Sequence, residues 1–129
     1  MKEFKAALEL NPGNAAYYLS LGRLLGQNGR ADEALPYFER ANKLAPDMPD
    51  TWNDRGYTHL QLAQVEEALV VLDEGLRRFP SHGLMHYNRA MALLKLRRTR
   101  EAVQAYETAV KCGYRRTPVF ERLKQRLNK

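Results

Sequence analysis

The sequence predicts an all-α fold, a solenoid of antiparallel helix hairpins, and two observations carry that reading. The first is a period of 34 residues. With Tyr18, Trp52 and His86 aligned, Leu21-Gly22, Arg55-Gly56 and Arg89-Ala90 coincide, as do Leu25, His59 and Leu93. Ala34, Ala68 and Ala102 follow, then Phe38, Leu72 and Tyr106, then Ala41, Gly75 and Ala109, and Pro46 and Pro80 close the first two units. A fixed period of this length marks stacked supersecondary units, each of which buries its apolar face against the next. The second observation is helical spacing. Apolar residues recur at three and four, as in Tyr18, Leu21, Leu24 and Leu25 or Leu69, Leu72 and Leu76, and no segment alternates in the strand manner.

Taken in order, the pattern places helices at 2–10, 15–27, 31–44, 49–62, 65–78, 83–96, 99–112 and 117–127. Phe4 and Ala7 mark the first, which stops before Pro12-Gly13. Asn28-Gly29 separates the second from the third. Pro46 and Pro80 end the helices before them, because the residue preceding a proline is pushed out of helical geometry. Each full unit is therefore a hairpin of a first and a second helix. Gly22, Gly56 and Ala90 lie inside first helices, where a glycine costs about 1 kcal/mol relative to alanine. Their repetition predicts a crossing too close for a larger side chain, with Ala34, Ala68 and Ala102 as the facing contact. Phe38, Trp52, Leu72 and Tyr106 are expected to fill the space between hairpins.

These residues resemble the tetratricopeptide repeat family. Its pattern is a tryptophan-like residue, leucine-glycine, a tyrosine-like residue, alanine, a phenylalanine-like residue, alanine and proline. Unit 15–48 matches most fully; 49–82 departs at Arg55, His59 and Gly75; 83–116 departs at His86, Arg89, Ala90 and Tyr114. Residues 1–14 fit the second half of a unit, and 117–129 fit a capping helix with a polar outer side of Arg122, Lys124, Arg126 and Lys129. The resemblance implies a right-handed superhelix whose first helices line a concave groove. It places Arg23, Gln27, Asn53, Asp54, Tyr57, Gln61, Tyr87, Asn88, Met91, Lys95 and Arg122 in that groove, with Asn53, Tyr57, Tyr87 and Asn88 facing solvent. An amide can both donate to and accept from a peptide backbone.

The function that follows is a scaffold or adaptor holding a peptide segment or partner surface. A structural spacer or self-association segment of a larger repeat protein is the alternative. Some family members grip an acidic chaperone tail with a two-carboxylate clamp of Lys, Asn, Asn, Lys and Arg. The corresponding slots are Leu19, Arg23, Asp54, Leu84 and Asn88 in one frame, and Asn53, Tyr57, Asn88, Pro118 and Arg122 in the next. Neither frame supplies the set, so that partner is not expected.

Charge narrows the field further. The net +6 is uneven: 1–48 carry six basic and six acidic residues, 49–82 three and six, and 83–129 twelve and three. The basic third supports only charge-driven, sequence-independent contact with nucleic acid, and it has no recognition motif or interleaved stacking aromatics. His82 and His86 lack an evident third ligand, and no nucleophile motif or phosphate loop appears, so neither an enzyme nor a cofactor is expected. The single Cys112 excludes an internal disulfide. With neither a signal-peptide core nor a membrane-length apolar run, the chain is expected in the cytoplasm. The apolar edge of Phe4, Ala7, Leu8 and Leu10 suggests weak two-fold dimerisation.

Overall fold

A computed structural model describes residues 14–128. The helix expected at 2–10 and the dimer edge built on it lie outside the described residues. Within them are seven helices: α1 Ala15–Gln27, α2 Ala31–Leu44, α3 Pro49–Gln61, α4 Val65–Arg78, α5 Gly83–Lys95, α6 Thr99–Lys111 and α7 Pro118–Leu127. Each boundary falls within a residue of the expectation. The chain divides into two units, Met1–Gln64 and Val65–Lys129, and each is described by itself.

The first helix of each hairpin ends in the same hydrogen-bonded turn. After α1, Gly29 N–H donates to Gly26 O (3.1 Å) and Arg30 N–H to Leu25 O (2.9 Å). After α3 the pairs are Ala63 to Leu60 and Gln64 to His59; after α5 they are Arg97 to Leu94 and Arg98 to Leu93. This is the Schellman arrangement, which satisfies the last carbonyls of a helix and needs a residue in the left-handed region. Gly29, Ala63 and Arg97 occupy that position with φ of 75°, 59° and 61°. They are 34 residues apart, so the repeat imposes the conformation even where the side chain resists it.

In the first unit α2 folds back on α1, and α3 packs on α2 and touches α1. Leu21, Leu25, Ala34, Phe38 and Ala41 form the buried centre, with Tyr18 and Met48 against it. A Cβ on Gly22 would stand 2.6–3.0 Å from three atoms of the Phe38 ring. The close approach that the repeat predicted therefore exists, but its nearest partner is Phe38 rather than Ala34. Phe38 lies inside this hairpin, where the missing Cβ makes room for it. Pro36 sits inside α2, one turn from its start, and forfeits a backbone hydrogen bond on an exposed face that water can reach.

The second unit packs α5 on α4, α6 on α5 and α7 on α6. Ala90, Leu93, Ala102, Val103, Ala105, Tyr106 and Phe120 form its core. The Tyr106 ring stacks on Phe120 at 4.8 Å, and Tyr87 meets Phe120 edge-on at 5.7 Å. The Tyr106 hydroxyl donates to Glu121 (2.8 Å) and accepts from the Thr117 backbone N–H (3.0 Å). Lys124 bridges to Glu107 at 2.8 Å. One phenol thus ties both the loop and the first turn of α7 to α6.

Equivalent positions repeat their contacts even where residue types differ. Trp52 Nε1–H donates to Pro46 O at 2.8 Å, and His86 Nε2–H donates to Pro80 O at 2.8 Å. A carbonyl only accepts, so His86 carries its proton on Nε2. Arg55 reaches Glu39 at 4.0 Å and Asn42 at 2.9 Å; Arg89 reaches Asp73 at 2.7 Å. Each pair joins equivalent offsets in its unit, so an arginine replaces leucine packing by bridging to the preceding helix. His59 Nδ1–H donates to Gln64 Oε1 at 2.8 Å, bracing the turn after α3.

Three outcomes follow from this packing. Gly22→Ala should destabilise the protein by about 1–2 kcal/mol despite alanine's higher helix propensity. The loss should shrink in a Phe38→Leu background, as a double-mutant cycle by urea denaturation will read. Ala63→Gly and Arg97→Gly should each raise stability by about 0.5–1 kcal/mol, since left-handed strain exceeds the added freedom of the unfolded chain; a lower thermal midpoint for both would refute the turn assignment. The Glu121 carboxyl is held below its ordinary value of 4.5, first by the Tyr106 hydrogen bond and then by the charges of Arg116 and Lys124. A depressed carboxyl contributes fully above 4.5 and loses its contribution as pH falls through the folded-state value. Tyr106→Phe should therefore weaken docking of α7 at pH 7 and leave less further loss on acidification, measured by hydrogen exchange of the α7 amides.

Candidate functional site

The first unit holds an open cleft of about 400 Å³ between α1 and α3. Arg23, Gly26 and Gln27 line it from α1, Phe38 from α2, and Asp54, Tyr57, Thr58 and Gln61 from α3. Successive turns of two helices bring these side chains together: positions 23, 26 and 27 share one face of α1, and 54, 57, 58 and 61 share one face of α3. Arg23 Nε lies 2.7 Å from Asp54 Oδ2, and its Nη2 lies 3.5 Å from Asp50 Oδ2. The Thr58 hydroxyl donates back to Asp54 O at 2.7 Å, and the residue is buried. Tyr57 is 50% exposed. A Cβ on Gly26 would meet nothing within 4 Å, so no packing demand explains that glycine, and its bare backbone keeps the cleft open.

Of the residues that the sequence placed in a groove, Arg23, Gln27, Asp54, Tyr57 and Gln61 converge here. Asn53 does not join them: it is 7% exposed, and Asn88 in the second unit is 6% exposed. Neither amide is free of partners. Both differ from the solvent-facing position expected of them, because each lies on the flank of its helix that turns inward. Tyr87 is half-buried and stacks on Tyr114 at 4.3 Å, so it serves the attachment of α7 instead of standing open. Met91 packs against the second core. Lys95 and Arg122 are exposed. Sequence reasoning missed Gly26, Phe38 and Thr58 as lining residues. Gly26 carried a signal, a late-helix glycine outside the repeat register; Phe38 read as core and carried none.

The basic third is partly committed to ion pairs. Arg98 bridges Glu101, Arg116 bridges Glu121, and Lys124 bridges Glu107. Among the described residues no group of three or more His, Cys, Asp or Glu side chains could hold a metal ion. No helix among them is long and apolar enough to cross a membrane.

Comparison with known proteins agrees with the architecture. Tetratricopeptide repeat family models match residues 3–35, 25–87 and 85–111. Protein FlbA of Caulobacter vibrioides is 32% identical over 120 residues, which is 91% of this chain and 20% of FlbA. The chain thus spans a fifth of that relative's length. The crystal structure of MamA superimposes with a TM-score of 0.80 at 16% identity, covering 85% of this chain and 64% of MamA. The first repeat domain of Spaghetti (RPAP3), solved bound to the HSP90 peptide SRMEEVD, gives 0.82 at 19% identity, covering 89% and 94%. A 34-residue register, helices at that register and family matches spread along the sequence lead to one conclusion: the chain belongs to the tetratricopeptide repeat family.

Proposed function

We propose that this chain is a protein-interaction scaffold and that the cleft between α1 and α3 receives a peptide segment of a partner protein. The observation that carries the reading is the convergence of Arg23, Gln27, Asp54, Tyr57 and Gln61 around a cleft that Gly26 also lines, a glycine whose added Cβ would meet open space. A concave, largely preformed cleft with a few convergent polar groups is the usual form of a ligand site. Peptide capture by the structurally similar RPAP3 domain supports the class of function. The acidic-tail partner of that domain is not carried over. Leu19 is buried, and Asp54 presents a carboxylate that already engages Arg23. The role proposed is binding without catalysis.

Gly26→Leu should fill the cleft without disturbing the fold, and Tyr57→Ala should remove its exposed aromatic wall. Affinity capture with the full chain should lose its partners at least tenfold with either variant while the circular-dichroism melt stays at the parental midpoint or above. Parental yields from both variants would move binding to another surface.

A further inference from the structure

We propose that the outer face of α7 docks an acidic helix of a partner protein, one with two carboxylates a turn apart beside an aliphatic side chain. This face belongs to the second unit and is independent of whether the cleft binds a peptide.

The orientation of α7 is the starting point. Counted in the 34-residue register, Val119 and Arg126 stand where α5 has Met85 and Ala92, which are fully buried. α7 does not repeat that packing. It turns Phe120 inward, stacked on Tyr106 at 4.8 Å, and leaves Val119 48% exposed and Arg126 exposed. A roll by one residue position, about 100°, accounts for the exchange. Val119, Arg122 and Arg126 follow at spacings of three and four, so they form one exposed stripe along the helix.

The charges of that stripe are unanswered. Residues 83–129 contain three acidic side chains, Glu101, Glu107 and Glu121. Arg98 engages the first, Lys124 the second, and Arg116 together with the Tyr106 hydroxyl the third. Arg122 and Arg126 form no ion pair among the described residues. Two guanidiniums one turn apart match two carboxylates at the same spacing on a facing helix, and each planar fork takes a carboxylate through two hydrogen bonds.

Val119 decides among anionic partners. In line with the two arginines, it suits an aliphatic side chain, which a phosphate backbone does not carry. α7 offers a nucleic-acid base no exposed aromatic to stack on, since Phe120 is buried. A bilayer would receive no inserted apolar face either, because Phe120, Leu123 and Leu127 are packed on the core.

The test uses the full chain, labelled with ¹⁵N, and alanine-rich helical peptides with two glutamates a turn apart beside a leucine. Glutamine and lysine versions serve as controls. At low salt the glutamate peptide should shift the amides of Val119, Arg122 and Arg126 and bind roughly fivefold more tightly than the glutamine peptide. The lysine peptide should not bind. Arg122→Gln combined with Arg126→Gln should erase the preference at unchanged helix content, and raised salt should reduce it. Equal affinity for the glutamate peptide and either control, or shifts absent from these amides, would overturn the proposal. Tighter binding at the same amides by a single-stranded oligonucleotide, or by vesicles of phosphatidylglycerol and phosphatidylcholine, would also overturn it and assign the stripe to phosphate.

Discussion

After α1, α3 and α5 the chain passes through one residue held at positive φ, and the helix pairing inherits that turn. The left-handed residue lets two backbone N–H groups reach back to the third- and second-last carbonyls of the helix. The constraint is geometric, not chemical: Gly29, Ala63 and Arg97 all satisfy it, though only glycine does so without strain. In the first unit the turn brings α2 back along α1, so that Phe38 arrives over Gly22. There the absent Cβ sets how closely the two helices approach. The same α1, offset by a turn, presents Arg23, Gly26 and Gln27 to the cleft. Hairpin packing and the cleft thus use neighbouring faces of a single helix.

The repeat is preserved through interactions as well as through residue types. An indole at Trp52 and an imidazole at His86 both donate to the carbonyl of the proline that closed the preceding helix. Arginines at 55 and 89, standing where the family pattern has leucine, both bridge to an acidic side chain on the helix before. Such exposed or half-exposed pairs add at most about 1 kcal/mol each. Their value lies in direction, since a bridge between equivalent offsets holds each helix in register where apolar packing has been thinned.

Charge in both units is bound up in local contacts. In the basic third several cations are answered locally by Glu101, Glu107 and Glu121. In the first unit Arg23 is held by Asp54 at 2.7 Å and by Asp50 at 3.5 Å. The net charge of the chain therefore says little about the chemistry at any one place, where groups at 2.7–3.5 Å outweigh a distant surplus screened by solvent.

By itself the sequence determined the helix class, the boundaries of the described helices to within a residue and many residues of the hairpin cores, because small and large side chains recur at a period that stacked hairpins accommodate. The family resemblance also singled out Arg23, Gln27, Asp54, Tyr57 and Gln61, which line the cleft. Tertiary structure decided the rest. Asn53 and Asn88 are buried although each sits beside a half-exposed residue, Asp54 and Tyr87, because a rotation of about 100° per residue is enough to change what a side chain meets. Tyr87 looked like a groove residue until Tyr114 and Phe120, distant in sequence, stacked around it. Phe38 became a cleft wall, and Gly26 an opening, only when α2 and α3 were placed beside α1. These are properties of what lies opposite a side chain, and helical periodicity reports only the direction in which the side chain points.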